Sequence, residues 1–466
     1  MSADDQLTAL DATFLELEEA DDGVLMHIGG ALVFASRPGG GTPTIDEIRE
    51  HVEQCLDRLP RYRQKLDLPR TGGLSWPSWK RDERFEIAAH VRHATLPAPG
   101  DERDFLDWVS DFYSHRLDRS RPLWEMVLLD GLADGWALLC KTHHCLVDGV
   151  GSLDFLGLLL GAAPAPPQSS TSPPADGSHG WLPNPFGAVT LLAGAGVAAA
   201  HLGSHAVLHP RDAFERSRGV VELLIRAELF AAPASSLNVP IGSTRLFATV
   251  NVDFHELQDI RSALGGTVND VVLCAATGAL RALLLERGEE PPRGLRAMVP
   301  VSVRREGDGG ELGNQVSSLF VDLPVAESDP LRRYELVSAA TKRLKAGGQA
   351  HAASALTDLT ELAPPVLHAG LARSLFAKRL FNVTITNVPG PPSSLSAFGS
   401  ELLEILPIVP LAADHALGIA VVSYAGAMTF GVFADRASVP DLDVLRDGIV
   451  TALSELEALA RAAPVH

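Results

Sequence analysis

The chain has 466 residues, a formal net charge of −19, 46% hydrophobic and 21% charged residues. That length exceeds what one hydrophobic core organises, so two domains are expected, and the composition is that of an ordinary globular protein. The negative charge disfavours nonspecific binding to nucleic acid or to anionic lipid, leaving only local basic patches such as Arg332-Arg333 and Lys342-Arg343-Lys345. Cys55, Cys140, Cys145 and Cys274 are scattered with no Cys-x-x-Cys spacing, which fits reduced thiols. The acidic start, Met1-Ser2-Ala3-Asp4-Asp5-Gln6, lacks the basic and apolar blocks of a secretory signal, so a cytoplasmic location is expected.

After an opening that holds Leu10-Asp11 and Phe14, residues 26–34 read as a strand. Thr44 then caps a helix whose apolar face is Ile45, Ile48, Val52, Cys55, Leu56 and Leu59. A strand is expected around residues 85–91, followed by a helix carrying Phe105, Val109, Phe112 and Leu117. Residues 124–129 and 136–142 read as a hairpin reversed through Gly131 and Asp134-Gly135. Its second strand delivers Thr142-His143-His144-Cys145-Leu146-Val147-Asp148-Gly149-Val150-Gly151. Gly149 and Gly151 permit a sharp turn there, and a buried helix can start at Ser152.

Residues 162–185 are dense in Pro, Ser, Gly and Ala, a composition that cannot offset ordering by burial and reads as a crossover between domains. Residues 186–208 contain no Asp, Glu, Lys or Arg and approach the roughly 20 residues of a membrane span. Their Ala, Gly and two histidines suit a buried or interfacial helix better. The expected division is an N-terminal half over 1–161, a crossover with an apolar helical segment over 162–240, and a C-terminal half over 241–466. In the last, strands are expected over 246–252, 295–303, 316–323, 381–386, 401–408, 418–424 and 428–433. Helices are expected over 255–264, 267–287, 331–345, 352–362 and 442–459. Each half is thus mixed α/β.

The chemistry concentrates at the two adjacent imidazoles and the aspartate that follows them. Neighbouring strand residues point to opposite faces, so His143 and His144 cannot both face one substrate unless the strand has already ended. One of them is then the worker. Histidine accepts a proton near neutral pH, which suits a general base acting on a hydroxyl or an amine. The alternatives are a buried histidine with a structural partner, a surface His-Asp pair, and a metal site. His144 and Asp148 have i, i+4 spacing, yet no third ligand is evident nearby and the glycines favour a turn. Cys145 reads as a small apolar wall residue. The chain holds no Gly-x-Ser-x-Gly elbow and no Gly-x-x-x-x-Gly-Lys-[Ser/Thr] phosphate loop.

Leu10-Asp11 with Phe14, Pro122-Leu123-Trp124-Glu125, the stretch from His143 to Gly149, Asn269-Asp270, Pro300-Val301-Ser302-Val303-Arg304, Gly313-Asn314 and Asn387-Val388-Pro389-Gly390-Pro391 carry a resemblance. So do Ala434-Asp435-Arg436 and Val439-Pro440-Asp441. Together, spanning nearly the whole chain in order, they resemble the bacterial wax ester synthase/diacylglycerol acyltransferases. His-His-x-x-x-Asp-Gly alone is shared with condensation domains of peptide synthetases and with other chloramphenicol acetyltransferase-type enzymes. The additional motifs select among them.

The resemblance implies a two-domain, chloramphenicol acetyltransferase-like α/β fold, each half a mixed sheet backed by helices, with the active-site tunnel between the halves. It implies transfer of an acyl group from coenzyme A to diacylglycerol, giving triacylglycerol, or to a long-chain alcohol, giving a wax ester. Acyl-CoA is then a substrate, and no cofactor or metal is called for. The general base carries over to His144, with His143 secondary and Asp148 and Gly149 completing the motif. Asp148 either orients His144 or pairs with Arg304 to hold the loop, and the second reading is favoured. Asn269 and Asp270 are expected to buttress the tunnel. Peripheral docking on membranes or lipid droplets is expected, with residues 186–208 as the leading segment. The rival readings are a condensation enzyme using carrier-bound acyl groups, disfavoured by the lack of an attached carrier or adenylation domain, and a non-catalytic lipid-surface protein.

Overall fold

The structure, a computed structural model, describes residues 6–68, 77–146, 156–161, 232–302, 316–346 and 380–463. Helix α1 (Ala9–Ala20) is capped by the Thr8 hydroxyl, which accepts from Asp11 N–H, and leads into strand β1 (His27–Ala35). Helix α2 (Ile45–Leu56) opens with a capping box between Thr44 and Glu47, so the sequence's Thr44 start is realised in both directions. A ribbon of β2 (Gln64–Asp67) and β3 (Ser78–Arg81) follows, then the four-residue helix α3 (Ile87–His90), β4 (Val91–Thr95) and α4 (Glu102–Tyr113). The hairpin of β5 (Trp124–Leu132) and β6 (Gly135–His143) completes this half.

In the second half, β7 (Arg245–Asp253), α5 (Phe254–Leu264) and the long helix α6 (Val268–Glu286) precede β8 (Leu295–Ser302), β9 (Val316–Leu323) and α7 (Pro330–Ala346). Strands β10 (Val383–Pro389), β11 (Ser396–Ala397), β12 (Ser400–Ile408), β13 (Leu417–Tyr424) and β14 (Ala427–Asp435) lead to α8 (Leu442–Ala462). Two six-stranded sheets result, in the orders β11-β12-β1-β6-β5-β4 and β7-β14-β13-β10-β8-β9. Both are mixed: β4 runs parallel to β5, and β10 runs parallel to β8 and β13, among otherwise antiparallel pairs. This is the two-domain α/β arrangement expected.

Two expectations need correction. Residues 85–91 are not a strand: Ile87–His90 form a helical turn, and pairing with β5 starts only at Val91. The turn is held by His90, whose Nδ1 lies 2.8 Å from the Trp124 carbonyl and whose ring stacks on Phe85 and Trp124. The division at residue 241 also does not separate the sheets. Strand β12, from the C-terminal half, adds to β1, with Ala31 opposite Leu406 and Gly29 opposite Ile408. Alternation along residues 400–408 reveals which side chains face inward, but not which sheet accepts the strand.

Strand β6 is buried along its whole length because both of its faces are covered. Trp136, Leu138 and Cys140 enter one apolar cluster with α2 and Trp124, while Ala137 and Leu139 enter the cluster that continues into the second half. Close packing over β1 needs Gly29, which has φ +147° and whose Cβ would stand 2.7 Å from the Tyr113 hydroxyl. The buried pair Arg245 and Asp435, 3.8 Å apart, sits where β7 meets the first half, and the Arg245 guanidinium also donates to the Gly23 carbonyl. Of the described helices, Val268–Glu286 is long and apolar enough to cross a membrane, and most of it is buried in the core. The expected crossover over residues 162–185, the apolar segment 186–208 and the helix over 352–362 lie outside the described residues.

Candidate active site

Strand β6 ends at His143, whose N–H donates to the Leu123 carbonyl at 2.9 Å. Residues 144–146 form a turn, so the face alternation that would separate the two imidazoles no longer applies. The His144 N–H crosses to the carbonyl of Met26, just before β1, at 2.8 Å. Both rings meet helix α1.

The two histidines are differently employed. His143 is 1% exposed, and both of its nitrogens are engaged: Nδ1 accepts the Cys145 N–H at 3.1 Å, and Nε2 stands 2.8 Å from Oε2 of Glu18. His144 is half-buried and stacks on Phe14 with ring centroids 4.0 Å apart and planes 19° from parallel. Its Nδ1 is buried, and no described residue gives it a hydrogen bond. Burial holds the His144 imidazole down at about 4; its own carbonyl opposes this and His143 adds to it. The ring is therefore neutral, able to accept a proton, over the whole neutral range.

Glu18, also 1% exposed, is the anion of this site. Burial alone would raise its carboxyl, but the hydrogen bond and charge of His143, with His27 and Arg119, outweigh burial and hold it at about 2. Arg116 and Arg119 approach its other oxygen at 3.7 Å each. His27 lies 4.0 Å away, beyond hydrogen-bond reach, and neither of its buried nitrogens finds a hydrogen-bond partner among the described residues. Sequence reading noted Phe14 and missed Glu18. The available signal was spacing: positions 14 and 18 are i, i+4 on one helix and share a face, and Leu15 and Leu17 beside them are buried.

Cys145 is buried in the apolar cluster of the first half. Burial pushes its thiol well above the ordinary value, with Asp11 adding to the effect, so little thiolate forms. Asp270 caps α6: one carboxylate oxygen accepts from Thr267 N–H at 2.8 Å and the other from the Thr341 hydroxyl at 2.6 Å. Asn269 meets Asn387 at 3.4 Å, joining the start of α6 to β10. Glu125, from the Pro122-Leu123-Trp124-Glu125 stretch, pairs with the buried Lys141 at 2.5 Å, and Trp124 donates to the Tyr62 carbonyl. The Glu125–Lys141 pair spans β5 and β6 two positions before His143. Asp148, Gly149 and Arg304, with the expected Asp148–Arg304 pair, lie outside the described residues. Among the described residues no group of three His, Cys, Asp or Glu side chains converges as a metal site requires.

A neutral histidine in a turn, its neighbour locked to a buried carboxylate, on a pair of mixed sheets linked by an exchanged strand, can be compared with known proteins. Residues 7–272 match the wax ester synthase/diacylglycerol acyltransferase catalytic domain, and residues 312–457 match the C-terminal domain of the same enzymes. The chain belongs to this family. Within the wax ester synthase/diacylglycerol acyltransferases, a probable diacylglycerol O-acyltransferase of Mycobacterium tuberculosis is 32% identical over 98% of this chain and 96% of its own length. A second from that species is 33% identical over 96% of this chain and 97% of its own. The solved wax ester synthase/diacylglycerol acyltransferase of Marinobacter aquaeolei superposes with a TM-score of 0.69 at 26% identity, covering 98% of this chain and all of the other. The starter condensation domain of rhizomide synthetase shares the fold at 17% identity, with a TM-score of 0.59 over 98% of this chain and 94% of its own.

Proposed function

We propose that this protein moves a long-chain acyl group from coenzyme A to the hydroxyl of diacylglycerol or of a long-chain alcohol, with His144 as the general base. The observation that carries the residue assignment is the asymmetry of the pair. His143 has both nitrogens committed, to Glu18 and to the Cys145 N–H, whereas the His144 ring is stacked and neutral, and its buried Nδ1 has no hydrogen-bond partner among the described residues. Family membership, with relatives named as diacylglycerol O-acyltransferases, supports the reaction class.

In the proposed step the acceptor O–H gives its proton to the His144 imidazole while its oxygen forms the new C–O bond at the thioester carbonyl. The tetrahedral intermediate collapses with cleavage of the C–S bond, and the coenzyme A thiolate takes the proton back from the imidazolium. No acyl-enzyme forms. Holding the two substrates in line supplies up to about 7–11 kcal/mol, the range seen for well-oriented intramolecular reactions. Both substrates carry long apolar chains, so the protein is proposed to work peripherally on membranes or lipid droplets, docking through residues 186–208.

The test is coenzyme A thiol release from a long-chain acyl-CoA, offered diacylglycerol, a fatty alcohol or an amine as acceptor. Ester formation with either alcohol supports the reading. Turnover with the amine alone would favour the condensation chemistry of the structurally similar domains. Unchanged flotation with lipid vesicles after deletion of residues 186–208 would remove that segment as the docking element.

A further inference from the structure

The hydrogen bonds around His144 close into a ring that passes through one carboxylate oxygen. Oε2 of Glu18 receives His143 Nε2–H at 2.8 Å and Met26 N–H at 3.2 Å. The Met26 carbonyl receives His144 N–H at 2.8 Å, and Nδ1 of His143 receives Cys145 N–H at 3.1 Å. The main chain on both sides of His144 is thus tied back to Glu18. The ring also fixes a tautomer. Nδ1 accepts the Cys145 N–H, so it carries no hydrogen, and the ring hydrogen sits on Nε2 and points at the carboxylate.

A carboxylate 1% exposed needs compensation for its lost hydration. A structural ion pair would place a guanidinium in hydrogen-bond contact with it. Here Arg116 and Arg119 stand off at 3.7 Å, while the shortest bonds go to the histidine and to Met26. One turn earlier on the same helix, Phe14 packs flat on the His144 ring. Helix α1 therefore touches both imidazoles through two side chains four positions apart.

We propose that Glu18 is a positioning residue for acyl transfer, holding the His143 tautomer and, through His143 and Met26, the turn that aims the His144 ring. This rests on His144 being the base. A displacement of about 1 Å at a reacting group costs about 10²-fold in rate, so the ring's integrity reads out in turnover more than in substrate binding.

The experiment is steady-state thiol release by the full-length wild type, Glu18→Ala, Glu18→Gln and Glu18→Asp, with melting curves for each. Glu18→Ala is expected to lower kcat by about 10²-fold while the KM for acyl-CoA moves by less than about threefold. Glu18→Gln keeps an acceptor oxygen in place and is expected to recover most of that loss. If Glu18→Ala does not fold, Glu18→Asp decides the matter: it keeps the charge but withdraws the oxygen by one methylene, and at least a tenfold fall in kcat (about 1.4 kcal/mol) with KM held is expected. Wild-type kcat in folded Glu18→Ala or Glu18→Asp, a loss confined to KM, or Glu18→Gln no better than Glu18→Ala overturns the proposal. Full activity of His144→Ala would instead sink the base assignment, so the two failures are distinguishable.

Discussion

Glu18 and His143 stand 125 positions apart in the chain, yet Oε2 of the first and Nε2 of the second meet at 2.8 Å, both side chains buried. The contact divides labour within the histidine pair. It anchors one imidazole and leaves the next residue in the chain, His144, as the ring with chemistry still open to it.

That division predicts that His143→Ala retains part of the activity. His143 is bonded to the support and not free for substrate, so its loss loosens the turn without deleting the proposed base. A fall of about 10–10² in kcat is expected, against the 10²–10⁴ typical of a lost general base. Parallel rate measurements on the two single variants check this, and equal loss in both would contradict it.

Cys145→Ala should stay within a few-fold of wild type. The thiol is buried and its pKa is pushed up by that burial, so it is neither accessible nor ionised. Mass spectrometry of the enzyme after incubation with acyl-CoA alone should find no adduct of one acyl mass. An acyl group trapped on Cys145 would replace direct transfer with a two-step path.

Acid should weaken the fold earlier than it blocks the base. Burial is the first cause that holds His27, His90, His144 and His415 below their ordinary value of 6.5. Between that value and the native one, the unfolded chain binds more protons, so the stability these groups contribute is present above 6.5 and is lost as pH falls. For His144 the window runs from 6.5 down to about 4, and for Glu18 from 4.5 down to about 2. Melting temperature should therefore decline progressively below pH 6.5, while the acidic limb of kcat/KM due to His144 lies near 4. A limb near 6.5 in the folded enzyme would show that the His144 ring is better solvated than its surroundings indicate.

Gly29→Ala should destabilise by about 1–3 kcal/mol, the range for a group forced into packed space. Its backbone is at φ +147°, and the added methyl would overlap the Cys140 carbonyl and crowd the Tyr113 hydroxyl. Urea unfolding measures the change. Asp435→Ala should lose more, about 3–5 kcal/mol, because it strands the buried Arg245 guanidinium. It also removes the acceptor for the N–H groups of Gly242 and Ser438.

Much of the fold was legible because local pattern decides it. The Asp134-Gly135 turn, the capped helix at Thr44 and the long apolar helix behind Thr267 are each specified by neighbours in sequence. What escaped is nonlocal. The alternation of β12 shows an inward face but cannot name β1 as its partner, and residues 85–91 turn helical because His90 finds Trp124. Glu18 escaped for the same reason: a carboxylate on a helix reads as a solvated face until the tertiary fold lays His143 against it. The histidine motif itself was visible as a strand end followed by a turn, and which histidine is committed became apparent only from the partners of its ring nitrogens.

The most direct test of the account is single-turnover and steady-state thiol release by His144→Ala beside wild type, with long-chain acyl-CoA and an alcohol acceptor, on protein shown by its melting curve to be folded. Ester formation by His144→Ala is expected to fall by about 10²–10⁴-fold with acyl-CoA binding retained. His144→Ala turning over at the wild-type rate would contradict it.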